Sequence, residues 1–221
     1  MSLKVNTYND IRNQMKPGDV IAFGGKDPFS EIIKMATRAD VSHLAVIHHN
    51  YEKAEGGGYI NEIIESTVAI DSNGVSISQL SKVLNGYNGN VWWLPIRKDL
   101  RRAPEDLTVF YDFLKNIADG HVKYDLIQAV KSAFDLFDGI DPIILGPTYN
   151  KEDYGKFFCS ELVAAALEKA GVVPEVNASE VTPIDLCRWN IYEEDYYQLL
   201  SSGHPTKIKN YNKLDPKLWN V

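Results

Sequence analysis

The chain is poor in cysteine. Only two of its 221 residues are cysteines, Cys159 and Cys187. Two cannot staple a small fold, and their separation matches no zinc-ligand spacing. Long apolar runs are absent too, with nothing near the ~20 residues that span a bilayer. The opening MSLKVNTYND holds no apolar stretch of the signal-peptide kind. Internal repeats and low-complexity linkers are missing. Cations are in deficit: 23 Lys and Arg face 30 Asp and Glu, a net charge of −7 and a pI of about 5.3. That excess repels phosphate backbones and anionic headgroups. One basic cluster, PIRKDLRR at 95–102, reads as a solvated loop or helix start. These absences predict a soluble, cytoplasmic protein with no nucleic-acid partner and no stable membrane insertion.

What is present is an ordinary globular composition. Hydrophobic residues make up 44%, enough at this length to build a core without cross-links. The expectation is one domain over residues 1–221. NDIRNQM (9–15) suits a short helix and VIAFG (20–24) a buried strand. DPFSEIIKMATRA starts a helix at Asp-Pro, and SHLAVIHH (42–49) reads as a strand. EKAEGGGY (52–59) reads as a hairpin loop, YINEIIESTVAI (59–70) as one bent strand or two, and DSNG (71–74) as a turn. GNVWWLPI (89–96) is a further strand.

After it the pattern changes to amphipathic helices at 103–120 and 123–137. A Gly, Pro and Asp-rich loop follows (138–155), long enough to be functional. Then come a helix opening at Cys159, a short helical turn within 181–189, and a last strand at YYQLL. Strands early and helices late predict an α+β fold with a mainly antiparallel sheet, or a small barrel, packed against helices.

Cys159 lies in the first turn of FFCSELVAAALEKAG. There unpaired backbone N–H groups and the positive end of the helix dipole favour a thiolate and can hold an oxyanion. The competing reading is a small buried apolar residue flanked by Phe157 and Phe158. A nucleophile needs a base. Among five histidines, His43 sits just inside an apolar strand and can project from its end into a cleft, although a satisfied core histidine fits the pattern as well. His48 and His49 end that strand beside a polar turn and read as solvated. His121 and His204 read as surface loops. A carboxylate would orient the imidazole. Glu65, set between II and STVAI, needs a partner if it faces inward. It or Glu62 can equally lie on a solvent face.

The order of MKPGDVIAFGG, TRADVSHLAVI, IIESTV, KYDL, FFCSELVAAALEKAG and VTPIDL resembles the circularly permuted branch of the NlpC-type, papain-like cysteine peptidases, the YiiX-like group. The motifs span roughly residues 16–187. In ordinary papain-like enzymes the cysteine helix precedes the histidine strand; here the histidine strand comes first. The resemblance implies a permuted papain-like fold, with Cys159 as nucleophile, His43 as base and Glu65 as its orienting group. It also places Tyr124 of KYDL beside the site as a substrate-binding residue, and leaves Cys187 as buried filler. The loop at 138–155 matches no motif of the group and puts specificity in doubt.

The expected activity is that of a cysteine hydrolase cleaving a peptide-like or acyl-amino-acid amide through a thioester, with no metal or organic cofactor. Two alternatives stand beside it. One is a lipid acyltransferase or thioesterase using the same cysteine, since the permuted branch also resembles lecithin retinol acyltransferase. The other is a non-catalytic ligand-binding domain.

Overall fold

A computed structural model describes residues 1–52, 58–66, 74–119 and 158–220. The sequence-predicted helix at 123–137, Tyr124, His121 and the 138–155 loop lie outside the described residues. Seven strands form one sheet: β1 (Ser2–Val5), β2 (Val20–Gly25), β3 (His43–Glu52), β4 (Tyr59–Ser66), β5 (Val75–Gln79), β6 (Gly89–Leu94) and β7 (Asp195–Leu200). Their spatial order is β1-β7-β6-β2-β3-β4-β5. All pairings are antiparallel except that of β1 with β7. The fold is therefore α+β. Among the described residues the strand order is that of an open sheet with β1 and β5 at its edges, not of a closed barrel.

β2 is central, and all six of its residues are buried. A strand covered on both faces reads as a continuous apolar run, which VIAFGG is. Its side chains still alternate. Val20 and Ala22 join one core with Leu44, Val46, Ile64, Trp92 and Leu94. Ile21 and Phe23 join the other with Ala45, Ile47, Ile63 and Trp93. Helix α1 (Tyr8–Ile11) and Leu80 of helix α3 (Leu80–Gly86) cover the second face. Helix α4 (Thr108–Ala118) and the Cys159 helix (Phe158–Lys169) cover the first, through Phe110, Leu114, Val163 and Leu167. Fully burying each such side chain contributes about 1.5–3 kcal/mol.

Asp19 ties the start of β2 to its surroundings. Its buried carboxylate accepts hydrogen bonds from the Lys16 N–H at 2.9 Å, the Trp93 indole N–H at 3.0 Å and the Ile96 N–H at 2.9 Å. It also pairs with Arg101. Burial pushes its pKa up, against the lowering influence of Arg101 and the two backbone N–H groups.

Helix α2 (Pro28–Thr37) starts where Asp-Pro predicts. The Asp27 side chain accepts from the Ser30 N–H at 3.0 Å, and Pro28 sits in the first turn. The Cys159 helix ends at Gly171, whose φ of +67° is the left-handed conformation. Gly171 N–H donates to the Glu168 carbonyl at 2.8 Å and Val172 N–H to the Leu167 carbonyl at 2.9 Å, a Schellman closure.

Sequence reading missed β1, β5 and α3. It also overran α1, which is a single turn rather than a helix over 9–15. Among the described residues no helix is long and apolar enough to cross a membrane.

Candidate active site

His43 is the first residue of β3, so its ring stands at an end of the sheet. With Val46 paired to Ile64 across the β3–β4 ladder, Glu65 falls level with Ala45. Alternation then puts Glu65 diagonally beside His43 on the same face. The contact is direct: His43 Nε2 lies 2.6 Å from Glu65 Oε2. Both residues are 8% exposed. The inward of the two readings of Glu65 therefore holds. Glu62 is half-buried and accepts from the Tyr51 hydroxyl at 2.9 Å, away from His43.

Glu65 occupies Nε2, which leaves Nδ1 for other work. That nitrogen is buried and makes no hydrogen bond of full geometry among the described residues. Cys159 nevertheless couples to the imidazole by charge and by a side-chain hydrogen bond. Burial by itself lowers the His43 pKa. The interaction with the Cys159 side chain, with Glu65 behind, outweighs it and pushes the value up to about 10. The pocket therefore favours the protonated form of the ring.

Gly24 and Gly25 end β2 with no side chains. A Cβ on Gly24 would stand 2.2 Å from the Asp40 carbonyl oxygen, and one on Gly25 would stand 2.5 Å from Ser30 Oγ and 3.0 Å from Tyr87 Oη. Phe23 packs on His43 with ring centroids 5.5 Å apart and on Tyr87 at 5.1 Å. Tyr87 has its pKa raised first by burial and then by the charges of Asp27, Glu65 and Cys159, which puts it at the rim of the same cluster. Sequence reading missed Tyr87 because it lies in the unassigned stretch after β5. It missed Glu161 as well, two residues beyond Cys159, whose pKa burial pushes up to about 7.

Cys159 opens its helix in the first turn and is fully buried. The next residue, Ser160, anchors the helix start by donating to the Val181 carbonyl at 2.6 Å. Cys187 is also fully buried, in the short helix Pro183–Arg188, and burial raises its thiol pKa. Neither cysteine is in a disulfide.

The histidine at the far end of β3 needs a correction. His48 was expected in solvent, yet it is 6% exposed. Alternation along β3 puts His48 on the face of Leu44 and Val46, which α4 covers, and the β3–β4 register shift between Ile47 and His49 brings the exposed His49 to the same side. His49 stacks on Tyr111 at 4.7 Å, and His48 meets that ring edge-on at 5.8 Å. Neither ring nitrogen of His48 has a hydrogen-bond partner among the described residues. Burial, followed by the charge of His49, lowers its pKa to about 4, so it stays neutral. His204 is exposed, as expected of a loop.

The structure thus brings Cys159, His43 and Glu65 together, and Tyr124 falls outside the described residues. Among the described residues no three His, Cys, Asp or Glu side chains are grouped to hold a metal ion. No protein-family model matches the chain, and no curated protein matches it.

Proposed function

We propose that the protein is a cysteine hydrolase of the permuted papain-like kind, acting on the amide of a small peptide-like or acyl-amino-acid substrate. The observation that carries this reading is the buried His43 ring, bonded to Glu65 at 2.6 Å and coupled to Cys159. A core histidine has no need of both partners, and perturbed titration in a compact cluster is a mark of chemistry.

The thiolate attacks the substrate carbonyl carbon. The carbonyl oxygen becomes an oxyanion that backbone N–H groups of the first helical turn can receive. His43 gives its proton to the leaving amine as the C–N bond breaks, which leaves a thioester on Cys159. Water, deprotonated by His43, then attacks the thioester, releases the acid and regenerates the thiolate. Glu65 holds the ring in orientation and stabilises its cation throughout.

The burial of Cys159 favours one other reading. A sulfur with no exposed surface suits a binding domain that performs no chemistry, and it reacts only in a state that uncovers it. Alkylation by iodoacetamide near neutral pH, followed by hydrolysis assays on N-acyl amino acids and acyl thioesters of graded chain length, decides the matter. Saturable amide cleavage lost in Cys159→Ala supports the hydrolase. Acyl transfer that rises with chain length, with no amide cleavage, moves the assignment to a lipid acyltransferase or thioesterase. A Cys159 that resists alkylation, with no turnover of either substrate class, removes the enzyme.

A further inference from the structure

The Cys159 helix has a second distinctive end. Beyond its last turn, Ala170 and Val172 line a cavity of about 140 Å³. Ile96, Leu107 and Tyr111 complete its apolar wall. Around its mouth stand Lys16, Arg101 and Arg102. Cys159 lies about 16 Å away along the helix, at 1.5 Å per residue, so the cavity is separate from the candidate active site.

The charges at the mouth are unevenly satisfied. Arg101 is paired with the buried Asp19. No hydrogen bond or ion pair engages the Lys16 ammonium or the Arg102 guanidinium among the described residues. Arg102 is held near Gly171: a Cβ there would sit 2.8 Å from Arg102 Nε, so the guanidinium lies against the helix end where only glycine leaves space. Two uncompensated cations over an apolar hollow are conspicuous in a chain whose net charge is −7.

We infer that this cavity, rimmed by Lys16 and Arg102, is a binding site for a small organic carboxylate with an apolar body of about the size of a benzene ring. The size follows from the volume, since an apolar cavity of roughly 150 Å³ accommodates benzene. The charge follows from the rim. A guanidinium presents two parallel N–H donors that match a carboxylate, and an ammonium adds a second positive charge. The shape follows from Tyr111, whose ring adds an aromatic wall to the lining. An apolar lining with a few convergent polar groups is the general form of a small-molecule site.

Benzoate is the probe, titrated into the full-length protein in a carboxylate-free buffer and followed by calorimetry and ligand-observed NMR. The neutral isostere benzamide is the comparison. Saturable benzoate binding is expected, with benzamide at least tenfold weaker. The double variant Lys16→Gln/Arg102→Gln should bind benzoate at least tenfold more weakly while keeping the wild-type melting temperature, because both side chains are exposed. Arg102→Lys should retain part of the affinity. Cys159→Ala should bind as the wild type does, which separates this site from the candidate active site whatever the outcome of the activity assays. Equal binding of benzoate and benzamide, undiminished binding by the double variant, loss of binding in Cys159→Ala, or no saturable binding would each overturn the inference.

Discussion

Glu65 and His43 are joined at 2.6 Å inside the sheet, where each keeps only 8% of its surface exposed. Removing one partner of a buried charged pair leaves the other uncompensated, which costs about 3–5 kcal/mol. Glu65→Ala should therefore lower the urea midpoint strongly. Glu65→Gln keeps an oxygen to accept the Nε2 hydrogen but drops the charge, so its stability loss should be smaller while hydrolysis falls about 100-fold or more. Equal stability of the wild type and both variants would contradict the geometry of the pair.

The titration of His43 has a definite sign. Its folded value of about 10 lies above the ordinary 6.5, so the proton it binds contributes stability that is complete below pH 6.5. That contribution fades as the pH rises from 6.5 through about 10. Proton NMR of the ring should show a midpoint near 10 in the wild type and a lower one in Cys159→Ala, which removes the largest opposing charge. A wild-type midpoint near 6.5 would dissolve the proposed ion pair.

Alkylation should separate the two cysteines. Iodoacetamide at neutral pH should label Cys159, and Cys159→Ala should abolish both labelling and hydrolysis. Cys187→Ala should alter neither, because burial keeps the Cys187 thiol protonated, whereas Cys159 lies beside the His43 imidazole. Peptide mass spectrometry reads the site directly, and label found on Cys187 in place of Cys159 would reverse the assignment.

His48 should govern stability in acid. Its folded value of about 4 lies below 6.5, so the unfolded chain binds the extra proton between those limits and stability falls as the pH drops from 6.5 towards 4. His48→Phe, which cannot take up that proton, should flatten the dependence. Melting temperature recorded from pH 7 to pH 4.5 tests this, at about 2–4 °C for each kcal/mol in a chain of this size. Parallel curves for wild type and variant would show that His48 is not the group responsible.

Asp19 gathers four donors from three segments, and Asp19→Ala leaves the Trp93 indole, the Ile96 and Lys16 amides and Arg101 without their acceptor. A loss of about 3–5 kcal/mol in chemical denaturation is expected. A loss below about 1 kcal/mol would mean that water replaces the carboxylate.

The elements legible in the sequence are those whose residues carry their own signal. β2 is a continuous apolar run, α2 opens on Asp-Pro, and the Cys159 helix ends on a glycine that its closure requires. β1 and β5 gave no such sign. SLKV and VSISQ are short and largely polar, and each becomes a strand only because a neighbour offers its backbone at the edge of the sheet. The side of the sheet taken by Glu65 was equally hidden, since Ile64 before it and Ser66 after it form no alternation that picks a face. The β3–β4 register decides it, and register is a property of two strands, not of one. The irregularity near His48 belongs to the same class. It sets His49 beside His48 against Tyr111, with no local mark in IHHN. Tyr87 reaches the site only through the placement of α3, a helix with no strong apolar period.

Chain order has a kinetic consequence. The base and its carboxylate sit on adjoining strands of one hairpin, which a nascent chain can close early. The sulfur belongs to a helix made much later, and β1 waits for β7 at the opposite end of the sequence. Contacts of such separation are slow to form, because loop closure must precede their reward. The growing polypeptide thus carries His43 beside Glu65 before Cys159 reaches them, and the three come together only when assembly is almost complete.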